Sequence, residues 1–294
     1  FFYLSCAEQD LCSHFAGLVA EVVHHDMELG AGLHIIAVRV VVVHGIYLEG
    51  PFLSKEKCGS HQKCYLKDPD INLLKKYQKA AEGMIKVVTV APELPGGIAF
   101  IKEAVAMDIK VAIGHSAADY ETTAKAVDAG ATIATHLFNA MPSLHHREAN
   151  ILTYILTNRD VTVELIGDCQ HVCPEMLSFV FNFYENSQIM LISDSMATTG
   201  LADGEYNYYD TTIVKQGDRC NLKSGGFFGG ATTLPQILNI LIKKTSLPWG
   251  LLGTVAWRIP SNVYNLRHHE TEVFFDSKMN WICSCLDKST WFTK

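Results

Sequence analysis

Between Arg39 and Ala231, short β-branched runs alternate with longer stretches whose apolar positions recur at helical spacing. This is the signature of βα units laid around a parallel sheet. The pattern predicts strands over roughly Val40–Leu48, Ile85–Ala91, Lys110–Gly114, Ala131–His136, Val161–Gly167 and Gln188–Ser193, with a weaker seventh at Gly226–Gly230. Helices are predicted between them, among others Ile98–Met107, Tyr120–Ala129 and Pro174–Tyr184, the last opening on a proline suited to a first helical turn.

Each of the six clear strands leads into a residue capable of chemistry: Glu49, Glu93, His115, His136, Asp168 and Asp194. In a closed βα barrel the carboxyl ends of all strands converge on one face, whereas an open doubly wound sheet gathers its ligands at a single switch point. Use of nearly every strand end therefore predicts a (β/α)8 TIM barrel. A length of 294 residues suits one such barrel, which takes about 250 residues, with modest additions.

The barrel core is expected at 39–247, because 1–38 and 248–294 carry no readable order of elements. The apolar run Ile35–Val43 is interrupted by Arg39 and is too short to span a bilayer, so no membrane partner is expected. The chain opens Phe1-Phe2, with no initiating Met, no charged leader and no small-residue cleavage site, and is expected to be a fragment or an incomplete reading of a longer protein.

Hydrophobic residues at 48% and charged residues at 19% place the chain with globular proteins that bury a large core. A formal net charge of −7 offers no basic stripe for a phosphate backbone, so nucleic acid is not an expected partner. An anionic small substrate would need locally placed cations. Nine cysteines form no C-x-x-C pair, which points to reduced thiols and a cytoplasmic setting. Cys283 and Cys285 form a C-x-C near the end of the chain, a weak metal signal.

Glu49 closes a hydrophobic strand and is followed by Gly50-Pro51, which blocks continuation. A carboxylate there costs several kcal/mol unless it is paired or bound to a cation. It either caps a loop, pairs with Lys55, or serves as a ligand. His115 follows Val111-Ala112-Ile113-Gly114 and His136 follows Ala131-Thr132-Ile133-Ala134-Thr135. Each alone reads as a structural histidine. With Glu49 they make a nitrogen, nitrogen, oxygen set on three strand ends, which suits one divalent ion such as Zn with an open position for water.

Asp194 ends a further apolar run. An acid beside a metal-activated water can take its proton and deliver it to a leaving amine, although an aspartate there can also cap the next turn. His61 and His171 could polarise a carbonyl or bind a sugar hydroxyl, or lie free on the surface. In His145-His146-Arg147-Glu148 the guanidinium can recognise phosphate bidentately, and an exposed charged loop reads equally well.

Several segments in order resemble the N-acetylglucosamine-6-phosphate deacetylase family of amidohydrolases: Leu48-Glu49-Gly50-Pro51-Phe52, Thr89-Val90-Ala91-Pro92-Glu93, Gly114-His115-Ser116, Thr135-His136-Leu137-Phe138-Asn139-Ala140-Met141 and Ser193-Asp194. The run His145-His146-Arg147 is similar to the animal branch. The resemblance spans about residues 44 to 240.

It implies metal-dependent hydrolysis of N-acetylglucosamine 6-phosphate to glucosamine 6-phosphate and acetate by a homodimer. Glu49, His115 and His136 would be metal ligands and Asp194 the proton carrier. Ser60, His61, Asn139, Ala140, Arg147, Asp168, Cys169, Gln170 and His171 would bind substrate. So would Phe228, Gly229 and Gly230, which stand where the family has Leu-Ser-Gly. Cys169 replaces a usual glycine and adds a Cβ to the sugar-facing loop. The first barrel strand and most of the small β domain of the family are not found. Only Ile259-Pro260 and Val263-Tyr264-Asn265-Leu266 echo it after Leu251. The alternatives are another amidohydrolase acting on a different amide, or a homologue impaired in turnover.

Overall fold

A computed structural model describes residues 45–184, 188–208 and 211–266 in full, and the backbone alone of six strands outside those ranges. The first three strands are β1 (Phe2–Ser5), β2 (His24–Leu29) and β3 (Leu33–Val38). Then come β4 (Ile46–Glu49), β5 (Ile85–Val90), β6 (Lys110–Ile113), β7 (Ala131–Ala134), β8 (Thr162–Ile166) and β9 (Ile189–Ile192). Residues 39–44, where the first predicted strand begins, lie outside the described residues, as do the side chains of Cys283 and Cys285.

Seven strands form one parallel sheet in the order β1-β4-β5-β6-β7-β8-β9. Helices cross between them: α1 (Ile71–Ala80), α2 (Gly97–Ala106), α3 (Tyr120–Asp128), α4 (Ile151–Thr157) and α5 (Pro174–Phe183). The architecture is an incomplete (β/α)8 barrel, with seven strand positions filled among the described residues.

Local chemistry sets the helix starts. The Asp70 carboxylate accepts from Asn72 N at 2.8 Å and opens α1. Asp119 accepts from Thr122 N at 2.7 Å and opens α3. Asn150 and Thr153 form a capping box on α4.

Period-two alternation splits each strand between two cores. Ile46, Leu48, Val88, Val111, Val163 and Leu165 join the large cluster beneath the helices. Tyr47, Val87, Ala112, Ile133 and Met190 form the inner one. After β9 the chain makes a separate antiparallel sheet of β10 (Gly204–Tyr208), β11 (Thr211–Gln216), β12 (Arg219–Leu222) and β13 (Phe227–Gly230). The seventh strand expected at Gly226–Gly230 is thus real but is not a barrel strand. It pairs with β12 and gathers Ile213, Cys220, Phe228 and Ala231 into a small core of its own.

After α6 (Leu234–Lys244) come α7 (Trp249–Gly253), a π-helical turn at Thr254–Arg258 and α8 (Ile259–Val263). Ile259 belongs to the inner cluster, and Val263 and Tyr264 pack against it. This segment, whose elements the sequence does not order, packs against the inner face of the sheet.

Candidate metal centre

Glu49 terminates β4 two residues after Tyr47 and therefore shares its inward face. Its Oε1 lies 2.9 Å from His115 Nε2, 3.1 Å from His61 Nε2 and 3.5 Å from His136 Nε2. The His115 and His136 Nε2 atoms are 3.0 Å apart. Glu49, His115 and His136 are all buried. Glu49 thus meets three histidines, not Lys55, which is exposed.

The sharp turn out of each strand aims these groups. His115, His136 and Asp194 have φ of 46°, 29° and 46°. L residues seldom adopt this left-handed region, and holding one there costs on the order of 1–3 kcal/mol. Phe138, Ala140 and Cys169 share it, at 76°, 51° and 60°, so six strained residues cluster on the loops at one end of the barrel. Cys169 thus stands in a conformation that glycine enters more readily than a residue with a Cβ.

Proton bookkeeping tests whether these donors fit a cation. His115 Nδ1 lies 2.8 Å from the Lys57 carbonyl, which only accepts, so Nδ1 carries the proton and Nε2 presents a lone pair. Burial pushes the His115 ring below the usual imidazole range, which favours the neutral form. That lone pair faces Glu49 Oε1 and His136 Nε2, and Glu49 Oε2 and His136 Nδ1 are buried with no hydrogen-bond partner among the described residues. Burial would lower His136, but the Glu49 carboxylate outweighs it and lifts the ring to about 9. For Glu49, burial raises the carboxyl while the histidines, His136 foremost, hold it well below the usual range. The site demands positive charge, and its converging lone pairs fit a divalent ion.

Glu49, His61 and His115 offer ligand atoms that all lie within 4.8 Å of one another. The family resemblance implies a substrate role for His61, and its approach to Glu49 and His115 comes from the loop that follows Phe52. Gly59 in that loop has φ +57°, and a Cβ there would stand 3.0 Å from His115 Cε1. Ser60 beside it is exposed.

Glu93 is the strand-end acid that closes the Thr89–Glu93 motif. Its carboxylate accepts from Ser116 Oγ and Ala117 N, both at 2.7 Å, and so holds the turn that presents His115. Ala140 O accepts from Ser116 N at 3.2 Å, and the Asn139 side chain donates to His136 O at 3.3 Å.

On the next strand ends, Asp168 Oδ2 lies 2.7 Å from His171 Nδ1, and Oδ1 accepts from Gln170 N and His171 N. Burial raises Asp168, but the hydrogen bonds and charge of His171 outweigh it and keep the carboxyl below its ordinary value. Gln170 Nε2 donates to Asp218 O at 3.2 Å, tying this loop to the small sheet. The His171 ring meets Phe227 edge-on at 4.4 Å. A Cβ on Gly230 would lie 3.4 Å from His171 Cε1 and 3.5 Å from Asp194 O, so β13 borders the same pocket. Phe228 and Gly229 are buried beside it. Removal from water and the Glu49 charge raise Asp194 above the ordinary aspartate value, against the pull of His136, His171 and His115. Arg147 stands apart on the exposed loop of Ser143–Glu148, where its backbone N–H donates to His145 Nδ1 at 3.4 Å.

No family model matches the chain. It is 34% identical over 212 residues to an N-acetylglucosamine-6-phosphate deacetylase of Bacillus subtilis, covering 72% of this chain and 54% of that protein. It is 31% identical over 205 residues to an N-acetylgalactosamine-6-phosphate deacetylase of Escherichia coli O157:H7, covering 70% and 54%. The crystal structure of N-acetyl-D-glucosamine-6-phosphate deacetylase from Mycobacterium smegmatis superimposes with a TM-score of 0.79 at 30% identity, over 84% of this chain and 68% of that one. Similar relatives occur in bacteria and animals alike. The chain spans about half the length of the curated relatives it matches.

Proposed function

The chain belongs to the N-acetylglucosamine-6-phosphate deacetylase family, and on that premise we propose that it hydrolyses N-acetylglucosamine 6-phosphate to glucosamine 6-phosphate and acetate. The observation that carries this reading is the meeting of Glu49 Oε1, His115 Nε2 and His136 Nε2 at three strand ends, with Asp194 on a fourth. Those three residues would hold one divalent ion, with zinc the expected identity from the donor set. Such an ion supplies a Lewis acid for the amide carbonyl and the attacking water.

The remaining steps fall to the chain's own groups. Asp194 takes a proton from the attacking water and returns it to the amine nitrogen as the C–N bond breaks. Its raised proton affinity suits the second half of that cycle. His61 and His171 flank the ligands, each within reach of a substrate carbonyl or hydroxyl, and Asp168 fixes the His171 ring. Asn139, Ala140, Cys169, Gln170 and the Phe228-Gly229-Gly230 stretch of β13 line the sugar, and Arg147 receives the phosphate.

The likeness to a galactosamine-directed relative favours one second reading, with the epimeric N-acetylgalactosamine 6-phosphate as substrate. Family resemblance supports a homodimer. The free state of the five described cysteines supports a cytoplasmic setting, and among the described residues no helix is long and apolar enough to cross a membrane. The test is acetate release from both phosphorylated amino sugars with and without a chelator. Chelator-sensitive release from N-acetylglucosamine 6-phosphate is expected, and no release from either sugar by metal-loaded protein would refute the reading.

A further inference from the structure

Below the site lies a second cluster of buried polar groups that the proposed chemistry does not use. Glu164 sits in the middle of β8, fully buried, on the face lined by Val87, Ala112, Ile133 and Met190. A carboxylate in such surroundings is costly unless its oxygens are bonded. Both are. Tyr47 Oη donates to Oε2 at 3.2 Å, and Tyr264 Oη donates to Oε1 at 2.8 Å.

Tyr47 is also one corner of a triangle of hydroxyls. Thr89 Oγ1 donates to Tyr47 Oη at 3.2 Å, and Thr135 Oγ1 lies 3.1 Å from each of the other two. Proton counting gives the triangle a direction, because each hydroxyl has one proton and the carboxylate only accepts. Tyr47 donates to Glu164 and Thr89 to Tyr47, which leaves Thr135 one proton to give to Thr89 or to Tyr47.

The corners of this triangle stand just behind the proposed ligands. Tyr47 precedes Glu49 by two residues on the same strand face, and Thr135 immediately precedes His136. On the far side of His136, Leu137 N donates to the Glu164 backbone carbonyl at 2.8 Å. His136, with φ of 29°, is thus held after by Leu137 on the Glu164 carbonyl and before by Thr135, which reaches Glu164 only through Tyr47 and Thr89. The carboxylate's other donor, Tyr264, comes from the segment packed against the inner face of the sheet.

We propose that Glu164 is a positioning residue of the metal centre: through Tyr47 and Thr135 it fixes the strand ends bearing Glu49 and His136, and through Tyr264 it couples their setting to the segment Thr254–Leu266. This rests on the reading of Glu49, His115 and His136 as ligands. A mere polar knot in the core would be replaceable, since well-packed apolar groups commonly match or exceed a buried charged network in stability. What an apolar core cannot do is hold two ligand-bearing turns in one orientation by directed bonds.

The test is a cobalt(II) titration, in competition with a chromophoric chelator, of the parent chain and of Glu164→Gln, Tyr47→Phe and Tyr264→Phe, alongside thermal melting of each metal-free protein. Outer partners of ligands commonly contribute about 10–100-fold in metal affinity. Glu164→Gln and Tyr47→Phe are expected at the lower end of that range, about tenfold, and Tyr264→Phe, one bond further out, at about threefold. The Tyr47→Phe/Tyr264→Phe double variant should depart from additivity, because both hydroxyls serve one carboxylate. Tyr264→Phe removes a single oxygen and keeps the test open if the glutamate variant fails to fold. Lower melting temperatures with unchanged cobalt affinity in the phenylalanine variants would overturn the proposal. A parent chain that binds no cobalt at all would overturn the ligand reading beneath it as well, so the two failures are distinguishable.

Discussion

His115 Nε2 and His136 Nε2 stand 3.0 Å apart with Glu49 Oε1 against both, an approach that three lone pairs tolerate only with a proton or a metal cation between them. In the metal-free protein that charge is a proton on His136. A divalent ion should displace it and stabilise the fold by mass action, by about 2.7 kcal/mol at a concentration a hundredfold above Kd. The melting temperature of the parent is therefore expected to rise on adding zinc and to fall with chelator. His115→Ala and His136→Ala should lose both the shift and the bound metal. Full occupancy by elemental analysis in either variant would show that the ligands lie elsewhere.

Arg147 is exposed on its loop, so its removal should cost little stability. Arg147→Ala is expected to weaken phosphorylated substrate by roughly 1.5–3 kcal/mol, the worth of a charge-assisted bond, and to leave unphosphorylated N-acetylglucosamine nearly unaffected. Comparison of kcat/KM on the two sugars decides it. Equal losses on both would rule out phosphate recognition.

The strands and their chemistry were legible because β-branched runs such as Ile85–Val90 and Thr162–Ile166 lead within two or three residues to an acid, Glu93 and Asp168. Two things were not. The run at Phe227–Gly230 looks like a strand, but nothing in four residues names its partner, and pairing with β12 is a tertiary choice. The role of His61 depends on a loop folding back over twelve residues to Glu49, a closure that leaves no periodic trace. Glu164 could have been found. A carboxylate inside Thr162-Val163-Glu164-Leu165-Ile166 breaks an apolar run, and a charge in such a run announces a partner without saying which.

Asp168 makes acid stability a probe of the His171 loop. Its folded-state carboxyl lies below the ordinary 3.8, so the native state binds the proton less well than the unfolded chain. The stability this supplies is present above pH 3.8 and is lost as the pH falls through the depressed folded-state value. Asp168→Asn should therefore melt below the parent at neutral pH, with the gap narrowing as the solution is taken below pH 3.8. A gap of constant size from neutral to strongly acid solution would mean the carboxylate charge contributes nothing.

Asp194 allows the sharpest separation of chemistry from structure. The amide of Asp194→Asn is nearly isosteric, and the ligand set of Glu49, His115 and His136 stays intact, so fold and metal affinity should be kept. The φ of 46° at this position also favours the substitution, since asparagine enters the left-handed region more readily than most residues. Turnover is different. Asparagine can neither take a proton from water nor give one to the departing nitrogen, and a positioned acid or base is worth about 10²–10⁴-fold. If one carboxyl serves both half-reactions, as proposed, the loss should fall at the upper end of that range. It should appear in kcat with KM little changed, as the interaction belongs to the transition state. A metal-replete Asn variant that turns over within a few-fold of the parent would move the proton role to another group, and His171, held by Asp168 at 2.7 Å, is the one placed to take it.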